Sequence, residues 1–249
     1  MRTEQNRTEQ NRTEQNRKVI LFVTVFFSII LSYGYGLITA TYKIFPYEQI
    51  KYIKKQVSGE VTEYSPYYLH KKSFFEQHGI KANVVMIGDS ITDGAEWQEL
   101  FKNHAVVNRG IGGDTTEGVL NRMSSIISSN SEKAFIMIGI NDFGRGDSVN
   151  DVYSNYQQII KELKSNQIMP YIQSTILANG NAARLNSSIS ELNIKLKELA
   201  AKEGLVYVDL NEGLSSNGIL KNEFTRDGVH LNGKGYFVWK GMIEPYLVP

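Results

Sequence analysis

The sequence contains no cysteine, which excludes disulfide bonds, thiolate metal ligands and a cysteine nucleophile and leaves the cellular compartment open. Histidine is scarce: there are four, His70, His78, His104 and His230, and no two stand at the spacing of metal ligands, so we expect no metal site. Charge of one sign is not in excess either, since 27 Lys and Arg are scattered among 26 Asp and Glu. A nucleic-acid partner is therefore not expected, because phosphate binding needs a concentrated basic face.

The chain is long enough for one main domain. Its 249 residues, 41% of them apolar, can bury one good-sized core. The first 18 residues fall outside that core, because Arg-Thr-Glu-Gln-Asn occurs three times in succession between Arg2 and Asn16 without an apolar residue. Such a tract has nothing to bury, so residues 1–18 are predicted to form a disordered polar tail.

The longest apolar run, residues 19–42, contains no charged residue. As a helix it is long enough to cross about 30 Å of hydrocarbon, which predicts an uncleaved transmembrane anchor with Tyr33, Tyr35 and Tyr42 at the far interface. The alternative is a cleavable signal peptide, after whose removal the protein would be secreted. Its best cleavage site would be Ile38-Thr39-Ala40, a weak match to Ala-x-Ala, and the apolar region of a signal peptide is usually shorter.

The charges around this run bear on its orientation. Arg17 and Lys18 abut it directly, and the count of basic residues on the two sides barely favours an N-terminus on the inside. We therefore expect the tail in the cytoplasm and the main domain outside, in a periplasm or at a cell surface. The mixed, charged residues 43–64 are predicted to form a stalk between the membrane and a domain of residues 65–249.

Strand and helix patterns alternate through that domain. Each of five short apolar runs rich in β-branched residues is followed by a segment of helical period. The five runs are residues 83–88, 105–110, 134–139, 169–175 and 205–210. The clearest helix spans about residues 182–202, where apolar residues recur at spacings of four and three. This alternation predicts an α/β fold with a parallel sheet between helical layers and ligands at the carboxyl ends of the strands.

Two of those carboxyl ends carry polar side chains. The first strand ends in Gly88-Asp89-Ser90, which places a hydroxyl where a strand turns into a helix, although these residues are also common in turns and N-caps. The third strand ends in Gly139-Ile140-Asn141-Asp142. The Asn141 amide is a candidate donor to an oxyanion, or it closes a turn by bonding its own backbone.

The second strand ends in a glycine loop, residues 108–115, which does not fit a nucleotide cofactor. Thr115 stands where the third glycine of G-x-G-x-x-G belongs, and no Lys is present for a phosphate-binding loop. Adjacent glycines do allow a main-chain N–H to be aimed at a ligand, although a simple tight turn would also use them. No cofactor is therefore expected.

A fourth loop, near the C-terminus, places Asp227 three residues before His230. A carboxylate and an imidazole so spaced can face each other, which fixes the tautomer of the ring and leaves its other nitrogen free as a base. A histidine on its own is more often structural, so this assignment depends on the other three loops.

In order and context, the four loops resemble the four sequence blocks of the SGNH (GDSL-like) hydrolase family. The blocks are GDS at Ser90, the glycine loop at Gly113, GxND at Asn141, and DxxH at Asp227 and His230. The resemblance covers about residues 65–249. Within the family, GIGGDTT and the compact size look most like the catalytic subunits of platelet-activating-factor acetylhydrolase and related bacterial esterases. One departure is isoleucine in place of the usual leucine after the GDS serine.

The resemblance implies a flavodoxin-like, three-layer α/β/α sandwich with a five-stranded parallel sheet, and a serine esterase that needs no cofactor. Ser90 would attack an ester carbonyl, His230 would take its proton, and Asp227 would orient the imidazole. The N–H groups of Ser90 and Gly113 and the side chain of Asn141 would hold the oxyanion.

Residues beside the loops receive weaker assignments. Apolar residues next to a strand end are more often core than pocket. The candidates for a substrate pocket are Ile91, Trp97, Asp114, Phe143 and Val229. Three acids are expected to cap or brace loops, namely Asp89, Asp114 and Asp142, and two aromatic residues to pack, namely Tyr236 and Trp239.

The sequence leaves several functions open. The first hypothesis is a membrane-tethered hydrolase of acetyl or other short acyl esters on glycans or cell-envelope components. An O-acyltransferase would resolve the same acyl-enzyme with a sugar hydroxyl, and a lysophospholipase would act on nearby lipid. A non-catalytic binding module would leave the expected catalytic residues without a role. Acyl length, the alcohol portion and the oligomeric state do not follow from the sequence.

Overall fold

The computed structural model describes residues 2–42, 64–102 and 105–247. The chain divides into two units, residues 1–63 and residues 64–249. The predicted stalk lies outside the described residues except for Tyr64.

The N-terminal unit contains one long helix, α1, Arg2–Tyr42. The prediction of a disordered tail is therefore wrong for the repeats. Arg, Glu and Gln are good helix formers, and a helix that is already formed extends at little cost into such residues. Within α1, residues Arg17–Thr39 are long and apolar enough to cross a membrane, a property that an N-terminal signal sequence shares.

The second unit is built on a five-stranded parallel sheet, as predicted. Its strands are β1 Val84–Gly88, β2 Val106–Gly110, β3 Lys133–Met137, β4 Met169–Gln173 and β5 Val206–Val208. The order in the sheet is β2-β1-β3-β4-β5. All five residues of β1 are buried. Because alternate side chains of a strand point to opposite faces, both faces of the sheet are covered, which is typical of a sheet between two helical layers.

Helices connect the strands. They are α2 Pro66–Gln77, α3 Ser90–Asp93, α4 Trp97–Leu100, α5 Thr116–Asn121, α6 Met123–Ile127, α7 Ile140–Arg145, α8 Val149–Ser165, α9 Asn186–Glu203, α10 Leu210–Leu214 and α11 Gly233–Ile243. Short 3₁₀ turns cover Gly180–Leu185, Asn222–Phe224 and Glu244–Tyr246, and a small antiparallel pair is formed by β6 Ser215–Ser216 and β7 Ile219–Leu220.

The helix predicted over residues 182–202 is observed with a shifted start. Residues Gly180–Leu185 form a 3₁₀ turn, and the α-helix proper is α9. It ends at Glu203 and is followed by Gly204, whose left-handed conformation, with φ +66°, is typical of the residue that terminates a helix. The apolar stripe is buried against the sheet as expected: Ile189, Leu192, Leu196 and Leu199 are buried, and Leu185 is half-buried.

The sheet order determines where a site can form. Because β1 lies between β2 and β3, the loops that leave these three parallel strands at their carboxyl ends are neighbours. These loops carry the GDS motif, the glycine loop and the GxND motif. The loop with Asp227 and His230 comes between β7 and α11.

Candidate active site

Ser90 is the first residue of α3 and follows β1 after a single residue. That residue, Asp89, is the N-cap, and its side chain accepts the N–H of Ile91 at 2.9 Å. Gly88 permits the tight turn because a Cβ there would collide with the carbonyl oxygen of Met137 on β3. The Ser90 hydroxyl is thereby held at the edge of the sheet, 2.8 Å from His230 Nε2.

His230 and Asp227 form the second link. His230 Nδ1 lies 2.6 Å from Asp227 Oδ2, while Asp227 Oδ1 accepts the backbone N–H groups of Val229 at 2.9 Å and His230 at 2.8 Å. Partial burial acts to raise the pKa of Asp227, but the hydrogen bonds from the His230 side chain and these two amides bring that pKa far below its usual value. The carboxylate is therefore ionised and accepts the Nδ1 proton of the imidazole.

This assignment fixes the direction of the remaining bond. With its proton on Nδ1, a neutral His230 presents a lone pair on Nε2, so the Ser90 hydroxyl is the donor. The His230 and Asp227 side chains are 49% and 55% exposed, so the relay opens to solvent where a substrate can reach it. The structure thus brings together the serine, the histidine and the aspartate that the sequence pattern picked out.

Two residues that the sequence interpretation missed support the loop of this pair. The Thr225 hydroxyl donates to the His230 carbonyl at 2.7 Å and accepts the Gly228 N–H at 3.0 Å. The Asn179 N–H donates to the Gly228 carbonyl at 2.7 Å. Gly228 has φ +87°, and a Cβ there would lie 2.6 Å from the Asn179 carbonyl oxygen, so only glycine fits this turn. The available signal for Thr225 was its position in the same short loop.

The glycine loop has an unequal distribution of hydrogen bonds. Among residues 110–115, five amides have acceptors: Gly110 N–H donates to Asn108 Oδ1, Ile111 N–H to Gly88 O, Gly112 N–H to Asp93 Oδ2, Asp114 N–H to Ile111 O, and Thr115 N–H to Asp114 Oδ1. The Gly113 N–H has no acceptor among the described residues. Gly113 has φ +74°, and a Cβ added there would meet nothing within 4 Å. Because Gly113 is exposed and its N–H is not used within the described part of the chain, this amide is a candidate donor to a bound anion.

The other two candidate donors are also available. As the first residue of α3, Ser90 has an N–H with no partner inside its helix, and none occurs elsewhere in the described ranges. The Asn141 amide nitrogen donates one hydrogen to the Asp114 carbonyl at 2.9 Å, and its second hydrogen has no acceptor in the described part of the chain. Within those residues, each of the three groups that the resemblance assigns to an oxyanion hole therefore keeps a free donor.

Three buried acids brace these loops, which confirms their expected role. Asp89 caps α3, Asp114 forms an ion pair with the buried Arg122 at 2.8 Å, and Asp142 accepts the hydroxyl of Thr116 at 2.5 Å. Burial raises the pKa of Asp89 and the pKa of Asp142 to about 7 each, and it also raises the pKa of Asp114. Within the described residues, no cluster of three or more acids and histidines is arranged to hold a metal ion.

We expect the variant Asp89→Asn to change how stability depends on pH. Because burial raises the pKa of Asp89 from 3.8 to about 7, the folded protein holds this proton more tightly than the unfolded chain does, and this residue destabilises the fold as pH rises between those values. An amide keeps the cap to Ile91 and does not ionise. The unfolding temperature of Asp89→Asn minus that of wild type should therefore be several degrees larger at pH 8 than at pH 5, since 1 kcal/mol of unfolding free energy shifts this temperature by roughly 2–4 °C. Thermal melts of both proteins at the two pH values measure this difference, and an equal difference in unfolding temperature at pH 5 and pH 8 contradicts the expectation.

The structure corrects most of the predicted pocket residues. Four of the five are buried: Ile91, Trp97, Asp114 and Phe143 are 1%, 1%, 2% and 4% exposed. Trp97 packs edge-on against Trp239, with ring centroids 4.9 Å apart, and donates its indole N–H to the Thr92 carbonyl. The three apolar side chains turn into the core because the helices after the strands bring apolar partners from distant parts of the chain, whereas Asp114 is held by its ion pair with Arg122. Val229 is half-buried and remains a candidate to contact a substrate.

The two aromatic residues assigned to packing do pack. Trp239 is fully buried and donates its indole N–H to Gln173 Oε1 at 2.6 Å. Tyr236 is half-buried and donates its hydroxyl to the Ile91 carbonyl at 2.8 Å, which ties α11 to the helix that begins with the nucleophile.

Comparison with known proteins identifies the relatives of this arrangement. The sequence model of the GDSL-like Lipase/Acylhydrolase family matches residues 86–237, from β1 to α11. N-acylneuraminate cytidylyltransferase of Streptococcus agalactiae is 27% identical over 161 residues, which are 65% of this chain and 38% of that protein. Platelet-activating factor acetylhydrolase IB subunit alpha1 of Bos taurus is 25% identical over 178 residues, 68% of this chain and 76% of that protein.

A solved structure gives the same result. The lipase/acylhydrolase from Enterococcus faecalis is similar with a TM-score of 0.59 at 26% identity, and the match covers 67% of this chain and 97% of that chain. By contrast, the chain spans well under half of the cytidylyltransferase, so the match concerns only part of that protein.

Proposed function

The chain belongs to the GDSL-like lipase/acylhydrolase family of carboxylic ester hydrolases, and on that premise we propose that it is a serine esterase acting on acetyl or other short acyl esters. The observation that carries the proposal is the continuous relay from Ser90 Oγ through His230 to Asp227, with distances of 2.8 and 2.6 Å. A turn or a structural histidine requires no such alignment of hydroxyl, imidazole and ionised carboxylate.

The proposed reaction has two halves. Ser90 Oγ attacks the ester carbonyl carbon as its proton passes to His230 Nε2, and the negative charge on the former carbonyl oxygen is held by the N–H groups of Ser90 and Gly113 and the Asn141 amide. The ester C–O bond then breaks, and the leaving alcohol takes the proton from Nε2, which yields acyl-Ser90. Water attacks the acyl group in the same way, His230 returns the proton to Oγ, and the carboxylic acid leaves. Asp227 stabilises the imidazolium in both halves.

The surroundings of the relay favour a small acyl group. Ile91, Trp97 and Phe143 belong to the core, so an acyl group on Ser90 would meet Val229 and the glycine loop rather than an apolar channel built from those side chains. A relative whose name is that of an acetylhydrolase points the same way. We propose glycans or other cell-envelope components as carriers of the ester, and a relative named for an N-acylated sugar acid is in keeping with a carbohydrate carrier.

We place the enzyme at a membrane. The proposal rests on Arg17–Thr39, the apolar part of α1, as an uncleaved anchor, with the catalytic unit outside the cytoplasm. Retention of the protein in the membrane fraction after an alkaline wash is the expected result. Recovery of a soluble chain that starts near residue 41 would instead indicate signal cleavage and secretion.

A series of p-nitrophenyl esters tests the esterase proposal directly. We expect the full-length protein in detergent micelles to hydrolyse the acetate and propionate, with kcat/KM falling as the chain lengthens to octanoate, because the buried side chains of Ile91, Trp97 and Phe143 do not line a channel for the longer chains. Acetylated sugars are the second substrate set, assayed by release of acetate. Activity that rises toward long chains would point to lipid substrates, and acyl transfer to an added sugar in place of acetate release would identify a transferase.

A further inference from the structure

Helix α7 holds the glycine loop at two successive carbonyl groups. The Asn141 amide donates to the Asp114 carbonyl at 2.9 Å, and Arg145 Nη2 donates to the Gly113 carbonyl at 2.8 Å. Asn141 and Arg145 are four residues apart, so they lie on the same face of the helix. Helix α7 therefore carries Asn141, which is a proposed oxyanion donor. It also carries Arg145, which contacts the glycine loop, where the Gly113 N–H is a second proposed donor.

The peptide group that contains the free Gly113 N–H has no direct support. Neither that N–H nor the Gly112 carbonyl has a hydrogen-bond partner among the residues that the structure describes. The orientation of this peptide group is therefore set by its neighbours along the chain. On the upstream side, the Gly112 N–H donates to Asp93 Oδ2 at 3.3 Å. On the downstream side, the next peptide group is held at its N–H, which Asp114 donates to the Ile111 carbonyl at 3.1 Å, and at its Gly113 carbonyl, which accepts from Arg145.

The downstream contact matters because the backbone here is unusually free. Both residues are glycine, and Gly113 has φ +74° with open space where a Cβ would be, so no side chain restricts rotation of the peptide groups on either side. The Asp93 carboxylate on the upstream side is fixed in turn by the Tyr67 hydroxyl at 2.6 Å and by Lys71 at 2.8 Å. Downstream, Arg145 provides the corresponding side-chain restraint, in addition to the backbone bond from Asp114 to Ile111.

We propose that Arg145 is a positioning residue, which fixes the Gly113 carbonyl and thereby aims the Gly113 N–H at the oxyanion. The inference rests on the proposed function, because it assigns Arg145 to the same site. Arg145 touches neither Ser90 nor His230 in the hydrogen-bond network, so it acts through the loop and not on the reacting atoms. Sequence alone offered one signal, an arginine one helical turn after the GxND asparagine.

The variants Arg145→Met and Arg145→Lys test the proposal in the full-length protein. For Arg145→Met we expect kcat for p-nitrophenyl acetate to fall about ten-fold while KM changes less than about two-fold, because a donor that is misaimed loses part of the stabilisation that it gives only to the transition state. Arg145→Lys keeps a donor and should recover part of the rate. The matched control is Lys197→Met, which removes one positive charge from the exposed face of α9 and should leave kcat unchanged. An unchanged kcat in Arg145→Met overturns the positioning role and leaves the esterase proposal intact.

A spectroscopic measurement keeps the test independent of activity. With ¹⁵N-labelled glycine, the Gly113 amide signal can be assigned by its loss in Gly113→Ala, and we expect it to shift or broaden in Arg145→Met but not in Lys197→Met. A Gly113 signal that is identical in wild type and Arg145→Met contradicts the proposal even if the wild-type protein hydrolyses none of the esters tested. Inactivity of the wild type with the expected change in the signal would refute the proposed function alone.

Discussion

Replacing Ser90 with alanine is expected to lower kcat for p-nitrophenyl acetate by at least about 10⁴-fold, because the acyl-enzyme cannot form without the hydroxyl. The loss should appear in kcat and not in the fold. Among the residues that the structure describes, the Ser90 hydroxyl makes a single hydrogen bond, to His230, at an exposed site, so the unfolding midpoint of Ser90→Ala should stay within a few degrees of wild type.

The control is a serine that the relay does not involve. Ser190 lies exposed on α9, and Ser190→Ala should retain full activity. A fluorophosphonate probe gives a second, direct readout: it should label wild type and Ser190→Ala at one site per chain and leave Ser90→Ala unlabelled. Esterase activity that survives in purified Ser90→Ala would remove the serine from the mechanism and, with it, the reaction proposed for this site.

The fold was predictable because its pattern is local. Each strand is a short apolar run, and alternation with helices forces a parallel sheet, whose loops meet at one edge. The ends of strands were less predictable. The third run was expected to reach residue 139, but β3 stops at Met137 because the N–H and carbonyl of Ile138 bond to the hydroxyl of Tyr156 instead of continuing the sheet, and the same carbonyl also accepts the Thr175 hydroxyl.

In the site, too, the features set by nearby residues could be predicted, whereas the features set by residues distant in the chain could not. Ser90, Gly113, Asn141 and His230 could be selected because each follows a recognisable segment of sequence. The inward direction of Trp97 could not, since it depends on Trp239, which reaches it only in the folded protein. The predictions for Ile91, Trp97 and Phe143 failed for this reason, because a pattern of apolar residues cannot distinguish the wall of a pocket from the core beneath it.

The residues that support the loop of His230 could not be predicted for a related reason. Asn179 comes six residues after the last residue of β4, and its value lies in a bond to Gly228 that the sequence does not reveal. The tail shows the opposite error. Composition predicted disorder for the Arg-Thr-Glu-Gln-Asn repeats, but the helix propensity of their Arg, Glu and Gln residues, continuous with an apolar helix, decides the observed conformation.

The second large effect is expected from Asn141→Ala, which should lower kcat by about 100 to 1,000-fold with little change in KM. The variant removes the amide hydrogen that is free to bind the oxyanion, and that charge develops only in the transition state. Initial rates with p-nitrophenyl acetate over a range of concentrations separate kcat from KM. Fluorophosphonate labelling should still reach one site per chain, more slowly, because Ser90 and His230 are intact.

The same substitution also removes the bond from Asn141 to the Asp114 carbonyl, so loss of loop support must be separated from loss of the donor. Asn155 provides the comparison, because its amide donates to the hydroxyl of Thr116, the residue after the loop, at 2.9 Å. This bond supports the loop, but Asn155 is not a proposed oxyanion donor. If Asn141 acts as an oxyanion donor, Asn155→Ala should cost less than about ten-fold in kcat. Equal losses in the two variants would mean that Asn141 only supports the loop, and the negative charge would then be held by the backbone N–H groups of Ser90 and Gly113.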